Sequence, residues 1–222
     1  MRIALFGGTF DPPHRGHIAI ATAAADKFAL NQVLFAPTGL QPLKHDPATP
    51  FVTRMELVAA ACESDPRFAP SYIDAPHPDG TPNYTVDTLA ALATLHPADR
   101  LFNLVGADSF LNLRRWHNSD RLLEMAEWIV VSRPGYELTE QNLSLLGLTS
   151  AQRHRVFTLS GVSEKISATV LRERLRYGDS CEDVLTPEVS SYIRKHRGQI
   201  GSFYSLKELR KKDQGHPKSG CP

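Results

Sequence analysis

Cysteine is scarce in this chain. Cys62, Cys181 and Cys221 are its three, an odd number at wide spacing, which argues against a disulfide framework and against a cysteine-based metal site. No apolar run approaches the roughly 18 residues that a membrane helix needs. Met1-Arg2-Ile3-Ala4-Leu5 runs straight into a strand pattern without the charged lead and apolar core of a signal peptide, so a cytoplasmic location is expected. Charge of one sign is also missing, because Lys+Arg 25 against Asp+Glu 24 leaves a net +1. No bulk field then recruits nucleic acid or an anionic membrane, and any anion must be held by local placement. His45, His77, His96, His117, His154, His196 and His216 have no ligand-like spacing, and no protein zinc cage is expected. Gly-x-Gly-x-x-Gly does not follow the first strand pattern, and Ala36-Pro37 stands where a dinucleotide fold would end its second strand on an acidic residue, which argues against an oxidoreductase of that type.

What is present is enough for a sizeable core: 222 residues, 41% of them hydrophobic. Short strand-like runs, most of them apolar on both faces, recur at 2–6, 32–36, 68–73, 101–105, 127–132 and 155–159, separated by helix-length segments. That alternation predicts a parallel sheet covered on both sides, a doubly wound, Rossmann-like α/β fold with a small C-terminal helical part. No repeat or Gly/Ser linker divides the chain. One domain over 1–197 is expected, followed at 198–222 by a mobile tail rich in lysine near its end.

Helix ends are readable. Ile18, Ala21, Ala25 and Phe28 recur at helical spacing, and Phe51, Met55, Val58 and Cys62 form a second stripe, with Thr49 as expected cap and Pro50 as first helical residue. Thr85 is expected to cap a third helix, Ser167 one that runs to Gly178, and Thr186-Pro187 to start another. The irregular stretches 38–50 and 74–83 follow strands directly, so they should border a ligand crevice.

The richest stretch is Gly7-Gly8-Thr9-Phe10-Asp11-Pro12-Pro13-His14-Arg15-Gly16-His17, set between the first strand and the first helix. Gly7 and Gly8 permit close approach of a ligand to the main chain. Gly16 lies at the helix entrance, where unpaired N–H groups favour an anion. His14 and His17, three apart, can both face it. A tight turn and an ordinary capping histidine would explain each feature singly, but not all of them in this order. A second stretch, Ile166-Ser167-Ala168-Thr169-Val170-Leu171-Arg172, offers free helix-start amides, hydroxyls at Ser167 and Thr169, and the forked cation of Arg172.

Together these stretches resemble the nucleotidylyltransferase superfamily, with its His-x-Gly-His element and its second signature Ile-Ser-Ser-Thr-x-x-Arg. Ala168 replaces the second serine of that pattern, which puts one hydroxyl contact in doubt. Asn83-Tyr84-Thr85-Val86-Asp87-Thr88-Leu89, Gly106-Ala107-Asp108 and Trp116 further resemble bacterial nicotinate-nucleotide adenylyltransferases, and the likeness extends over 1 to about 197. It implies ATP and nicotinate mononucleotide as substrates, with Mg²⁺ arriving on the triphosphate. His14, His17 and Arg172 would be the catalytic set. Gly7, Gly8, Thr9, Phe10, Gly16, Lys44, Gly106, Asp108, Ser167 and Thr169 would serve ATP. Thr85 and Val86 would receive the nicotinate carboxylate, Trp116 would stack on the pyridine ring, and Arg133 is a further candidate on that side. Asp108 as a helix cap and Trp116 as a core residue stay open, as do other acceptors such as nicotinamide mononucleotide or phosphopantetheine, a non-catalytic nucleotide-sensing module, and the oligomeric state.

Overall fold

The computed structural model of the protein describes residues 1–42, 47–132, 138–162 and 166–214. Its strands are β1 (Arg2–Gly8), β2 (Gln32–Pro37), β3 (Phe68–Pro70), β4 (Arg100–Gly106), β5 (Glu127–Val131) and β6 (Val156–Leu159). They form one six-stranded sheet in the order β3-β2-β1-β4-β5-β6, every pair parallel. The helices are α1 (Arg15–Lys27), α2 (Phe51–Cys62), α3 (Thr85–Leu95), α4 (Ala107–Phe110), α5 (Ser119–Met125), α6 (Glu140–Leu145), α7 (Ser150–Arg153), α8 (Ala168–Arg176), α9 (Pro187–Lys195) and α10 (Arg197–Gln214), with a 3-10 turn at Leu113–Arg115. The expected doubly wound fold is therefore observed.

Two-residue periodicity divides the strands between two cores. Ile3 and Leu5 of β1, with Trp128 and Val130 of β5, face α3, α4 and α5 through Val86, Leu89, Phe110 and Leu122. Ala4 and Phe6, with Ile129 and Val131, face α1 and α2 through Ile20, Ala21, Ala24 and Val58. A third cluster seats α8, α9 and α10 on the outer side of α2, through Leu171, Leu175, Val189, Ile193, Leu57 and Ala61. Each such side chain contributes on the order of 1.5–3 kcal/mol by leaving water. The consequence for function is rigidity: β1, β4 and α2 are held from both sides.

Several boundaries differ from expectation for local reasons. The third strand spans only Phe68–Pro70 at the edge of the sheet, with proline tolerated there and one further bond to β2 from the Ser71 N–H to the Phe35 carbonyl at 2.8 Å. Pro50 is the N-cap of α2, because the Thr49 hydroxyl is used elsewhere, on Asp11 at 2.5 Å. Tyr84 is the N-cap of α3, which makes Thr85 its first helical residue. Ser167 caps α8 and Thr186 caps α9, with Pro187 at the first position, as their sequence signals require. Beyond 197, where a tail was expected, α10 continues to Gln214, and Ile200 and Tyr204 are buried against α8 and α9; 215–222 lie outside the described residues. Among the described residues no helix is long and apolar enough to cross a membrane.

Candidate active site

The order of the sheet reverses between β1 and β4, and in open α/β sheets ligands bind beyond the strand ends at that point. Two clefts meet there. One, of about 320 Å³, is lined by Gly7, Gly8, Thr9, Phe10, Asp11, His17, Gly106, Asp108, Ser109, Ala168 and Arg172. The other, of about 640 Å³, is lined by Gly7, Gly8, Thr38, Asp74, Asn83, Tyr84, Thr85, Thr88, Asn103, Asp108, Ser109, Arg115, Trp116 and His117, among others. Gly7, Gly8, Asp108 and Ser109 belong to both. The result is a single groove with two compartments.

In the smaller compartment the glycine-rich turn leads into α1. Phe10 takes a left-handed conformation at φ +47 and sinks its ring against Phe6 and Phe35, edge-on to His17 at 5.0 Å. At 2% exposure Phe10 acts as a wedge under His17 more than as a contact surface for a ligand. The His14 N–H donates to His17 Nδ1 at 3.2 Å. The neutral imidazole of His17 then carries its proton on Nε2, as a donor. His14 is stacked on His17 at 3.8 Å and is 6% exposed. The structure thus brings the two rings together but sets only His17 on the cleft lining. Gly16 is buried in the first turn of α1.

From the opposite side α8 supplies Arg172. Its Nη1 donates to the Asp11 carbonyl at 3.0 Å and its Nη2 to Thr169 Oγ1 at 3.2 Å, so Thr169 steers the guanidinium. Ser167 Oγ accepts from the Val170 N–H at 3.4 Å, which makes it a helix cap. Ala168, the residue that departs from the family pattern, lines the cleft. The departure therefore falls where a serine hydroxyl would meet a ligand.

Asp108 is exposed and reaches both compartments. The N-cap of α4 is Gly106, so Asp108 sits inside the first turn and is not the cap. A Cβ on Gly106 would stand 2.5 Å from Asp108 Oδ1. Glycine leaves that carboxylate room to fold back over the strand end.

The larger compartment has an aromatic rim and a polar wall. Trp116 is half-buried, packs edge-on to the core residue Trp128 at 6.0 Å, and still lines the cleft. Tyr84 and His117 also line this compartment and pair with each other, their rings tilted with centroids 4.5 Å apart. Thr85 opens α3 on the lining, whereas the Val86 side chain points into the core. Val86 can offer only a first-turn amide, where the helix dipole favours an anion. Asn83 joins the two irregular loops: its Oδ1 accepts from the Leu40 N–H at 2.8 Å and its Nδ2 donates to the Ala75 carbonyl at 2.8 Å. Burial raises the pKa of Asp74 against opposing hydrogen bonds from Thr88 and Thr38. Lys44 and Arg133 lie outside the described residues.

Arg54 was not anticipated, and it lies under the groove. It is 1% exposed, yet all its described hydrogen bonds go to carbonyls: Nη1 to Thr9 at 2.8 Å, Nη2 to Thr38 at 2.9 Å and Nε to Thr49 at 3.2 Å. Burial lowers its pKa, while the charges of Asp11 and Asp74 oppose that shift. Asp11 itself is occupied, accepting from the Ala48 N–H at 2.7 Å and from Thr49 Oγ1. A signal was available in the sequence. Position 54 falls on the helical stripe of Phe51, Met55, Val58 and Cys62, and a charge on a buried stripe requires partners.

A parallel sheet of this order, with a glycine-rich turn and an aromatic-rimmed compartment at its switch point, has the form of a nucleotide-binding α/β protein. The family model described as Cytidylyltransferase-like matches residues 5–174. A protein of Shewanella sp. (strain MR-4) named probable nicotinate-nucleotide adenylyltransferase is 37% identical over 210 residues, covering 89% of this chain and 98% of that one. A Thermus thermophilus protein of the same name is 38% identical over 196 residues, covering 88% and 98%. The chain belongs to the cytidylyltransferase-like family, and within it to the nicotinate-nucleotide adenylyltransferases. The same fold occurs in the Plasmodium falciparum nicotinic acid mononucleotide adenylyltransferase complexed with NaAD, with a TM-score of 0.70 at 16% identity over 88% of this chain and 95% of that one.

Proposed function

We propose that the chain transfers the adenylyl group of ATP to the phosphate of nicotinate mononucleotide, giving nicotinate adenine dinucleotide and pyrophosphate. The observation that carries this reading is the shared floor of Gly7, Gly8, Asp108 and Ser109 between an anion-suited compartment and an aromatic one. An acceptor phosphate oxygen attacks the α-phosphorus, a bond forms there, and the α–β bridging bond breaks as pyrophosphate leaves. The attacking oxygen is already ionised near neutral pH, so no side chain need act as base or nucleophile. Catalysis is alignment and charge stabilisation.

In this scheme His17 Nε2–H and Arg172 donate to phosphate oxygens, and His14 supports His17. The turn at Gly7–Phe10 with Gly16 provides main-chain approach, Ser167 and Thr169 organise the α8 end, and Lys44 is assigned to the phosphates. Asp108 accepts from ribose hydroxyls. Thr85 and the Val86 amide receive the nicotinate carboxylate, Trp116 stacks on the ring, and Arg133 is placed on that acceptor. Mg²⁺ would arrive on the triphosphate and keep several of its waters. Asp108, exposed on the groove, would be the carboxylate nearest such an ion in the phosphate compartment, since Asp11 is held by Ala48 and Thr49; the chemistry the ion would supply is to offset phosphate charge. The buried thiols of Cys62 and Cys181 suit the reducing cytoplasm, where we place the reaction.

Pyrophosphate release with Mg-ATP and each acceptor in turn tests the assignment. Nicotinate mononucleotide should be the best acceptor, nicotinamide mononucleotide poorer because an amide gains less from the α3 terminus, and phosphopantetheine inert. No release with either pyridine nucleotide refutes the proposal.

A further inference from the structure

Arg54 touches neither compartment's open space, yet it fastens the backbone of both. Thr9 lines the smaller compartment and Thr38 the larger, and their carbonyls are held by neighbouring nitrogens of one planar guanidinium, at 2.8 and 2.9 Å. In a trans peptide the carbonyl and the following N–H point opposite ways. By holding the Thr9 carbonyl, Arg54 therefore also fixes the direction of the Phe10 N–H, at a residue whose left-handed φ has few alternatives. On the other side the Gly39 N–H is directed to the Asp74 carbonyl at 2.8 Å, and the Asp74 side chain accepts from Thr88 in the first turns of α3 at 2.8 Å. A continuous chain of hydrogen bonds thus runs from the phosphate turn, through Arg54, to the helix whose N-terminus faces the acceptor.

We propose that Arg54 is a positioning residue for adenylyl transfer, which locks the main chain of the two compartments into one frame so that acceptor phosphate and α-phosphorus meet in line. This rests on the function proposed above. A buried cation kept only for stability would be served as well by an ion pair or an apolar replacement. Three carbonyl partners, Thr9 in the turn after β1 and Thr38 and Thr49 at the two ends of the β2–α2 connection, require the fork of arginine and are not matched by the point charge of lysine.

The test compares the parent protein with Arg54→Lys and Arg54→Met, by pyrophosphate release under Mg-ATP and nicotinate mononucleotide and by thermal unfolding without ligand. Assays run well below each variant's unfolding midpoint, so that all the enzyme is folded. Both variants should lose kcat, Arg54→Met by on the order of a hundredfold, the scale of a misplacement near 1 Å, and Arg54→Lys by less. KM for each substrate should stay within about threefold, because no group that touches substrate is removed. Turnover in both variants within about twofold of the parent, or a rise in one substrate's KM with kcat unchanged, overturns the proposal. If Arg54→Met does not fold, Arg54→Lys decides by the same criteria, since it keeps the charge and most of the length. Absence of turnover in the parent refutes the function itself, an outcome distinct from a parent that works and variants that work equally well.

Discussion

His17→Ala separates catalysis from stability, because the two ring nitrogens of His17 are committed differently. Nδ1 accepts from the His14 N–H at the start of α1, while Nε2–H is the donor assigned above to the phosphates. Removing one donor to developing phosphate charge costs about 2.7–4 kcal/mol of transition-state stabilisation, a hundred- to thousandfold in kcat. Losing the Nδ1 acceptor leaves one helix-start N–H unpaired and costs about 1 kcal/mol of stability, which for a chain of this size lowers Tm by roughly 2–4 °C. The assay is steady-state pyrophosphate release beside a thermal melt. Two further substitutions split the effects. His17→Asn puts an amide oxygen near the Nδ1 position, so it should recover Tm without recovering turnover. His17→Gln puts an amide N–H near the Nε2 position and should recover part of the turnover. If His17→Ala keeps kcat within about threefold of the parent, the donor role is wrong.

The other substitutions test one contact each. Trp116→Ala should weaken nicotinate mononucleotide by tenfold or more, at about 1–3 kcal/mol for a lost aromatic stack, while ATP affinity measured by calorimetry is unchanged; equal loss of both means that the packing on Trp128 is its whole role. Gly106→Ala places a methyl 2.5 Å from Asp108 Oδ1 and should raise KM for ATP several-fold with little change in Tm, and an unchanged KM would remove Asp108 from the ribose. Ala168→Ser adds a hydroxyl on the phosphate cleft and should lower KM for ATP by roughly threefold to tenfold, about 0.5–1.5 kcal/mol for one hydrogen bond; a KM that does not fall refutes that contact. Burial pushes the Cys62 thiol up to about 12 from 9.0. Its folded pKa is raised, so its contribution to stability is complete below pH 9 and is lost as pH rises from there through about 12. Brief alkylation at pH 8 followed by peptide mapping should leave Cys62 unlabelled in the native protein and labelled after unfolding.

The fold was legible because its signals are local. Short strands apolar on both faces are readable when helix-length segments separate them, and all six occur, β3 only as Phe68–Pro70 of the expected 68–73. Cap identities were legible only where the hydroxyl had no better partner. Ser167 and Thr186 bond the amides three residues on, whereas Thr49 is drawn off by Asp11 across 38 residues of chain, and no local rule anticipates that. The groove shows the same division. Glycines, histidines and the second-signature arginine announce themselves by spacing, and Trp116 and Thr85 do so by resemblance. That His14 would stand behind His17, or that Val86 would turn its side chain into the core, depends on the register of a helix start to within one residue. The helical stretch beyond 197 is faint in the sequence for a related reason: Ile200 and Tyr204 are few in a polar segment, and they matter only because α2, α8 and α9 leave a seat for them.

Arg54 joins these threads. In-line displacement with no protein base asks little of any single side chain and a great deal of relative placement, since the groups proposed to hold each substrate come from separate loops and helix ends around the switch point. Such an arrangement tolerates an exposed Asp108 and even the loss of a serine hydroxyl at Ala168, because each contributes a replaceable contact. It tolerates less well any loosening of the loops that carry those contacts relative to one another. A buried arginine with only carbonyl partners is costly in desolvation, and its charge is better placed beneath a site built for phosphate than anywhere else in the fold. Arg54, a charge set on the apolar α2 stripe, is thus the residue that the proposed geometry of transfer most requires to be fixed.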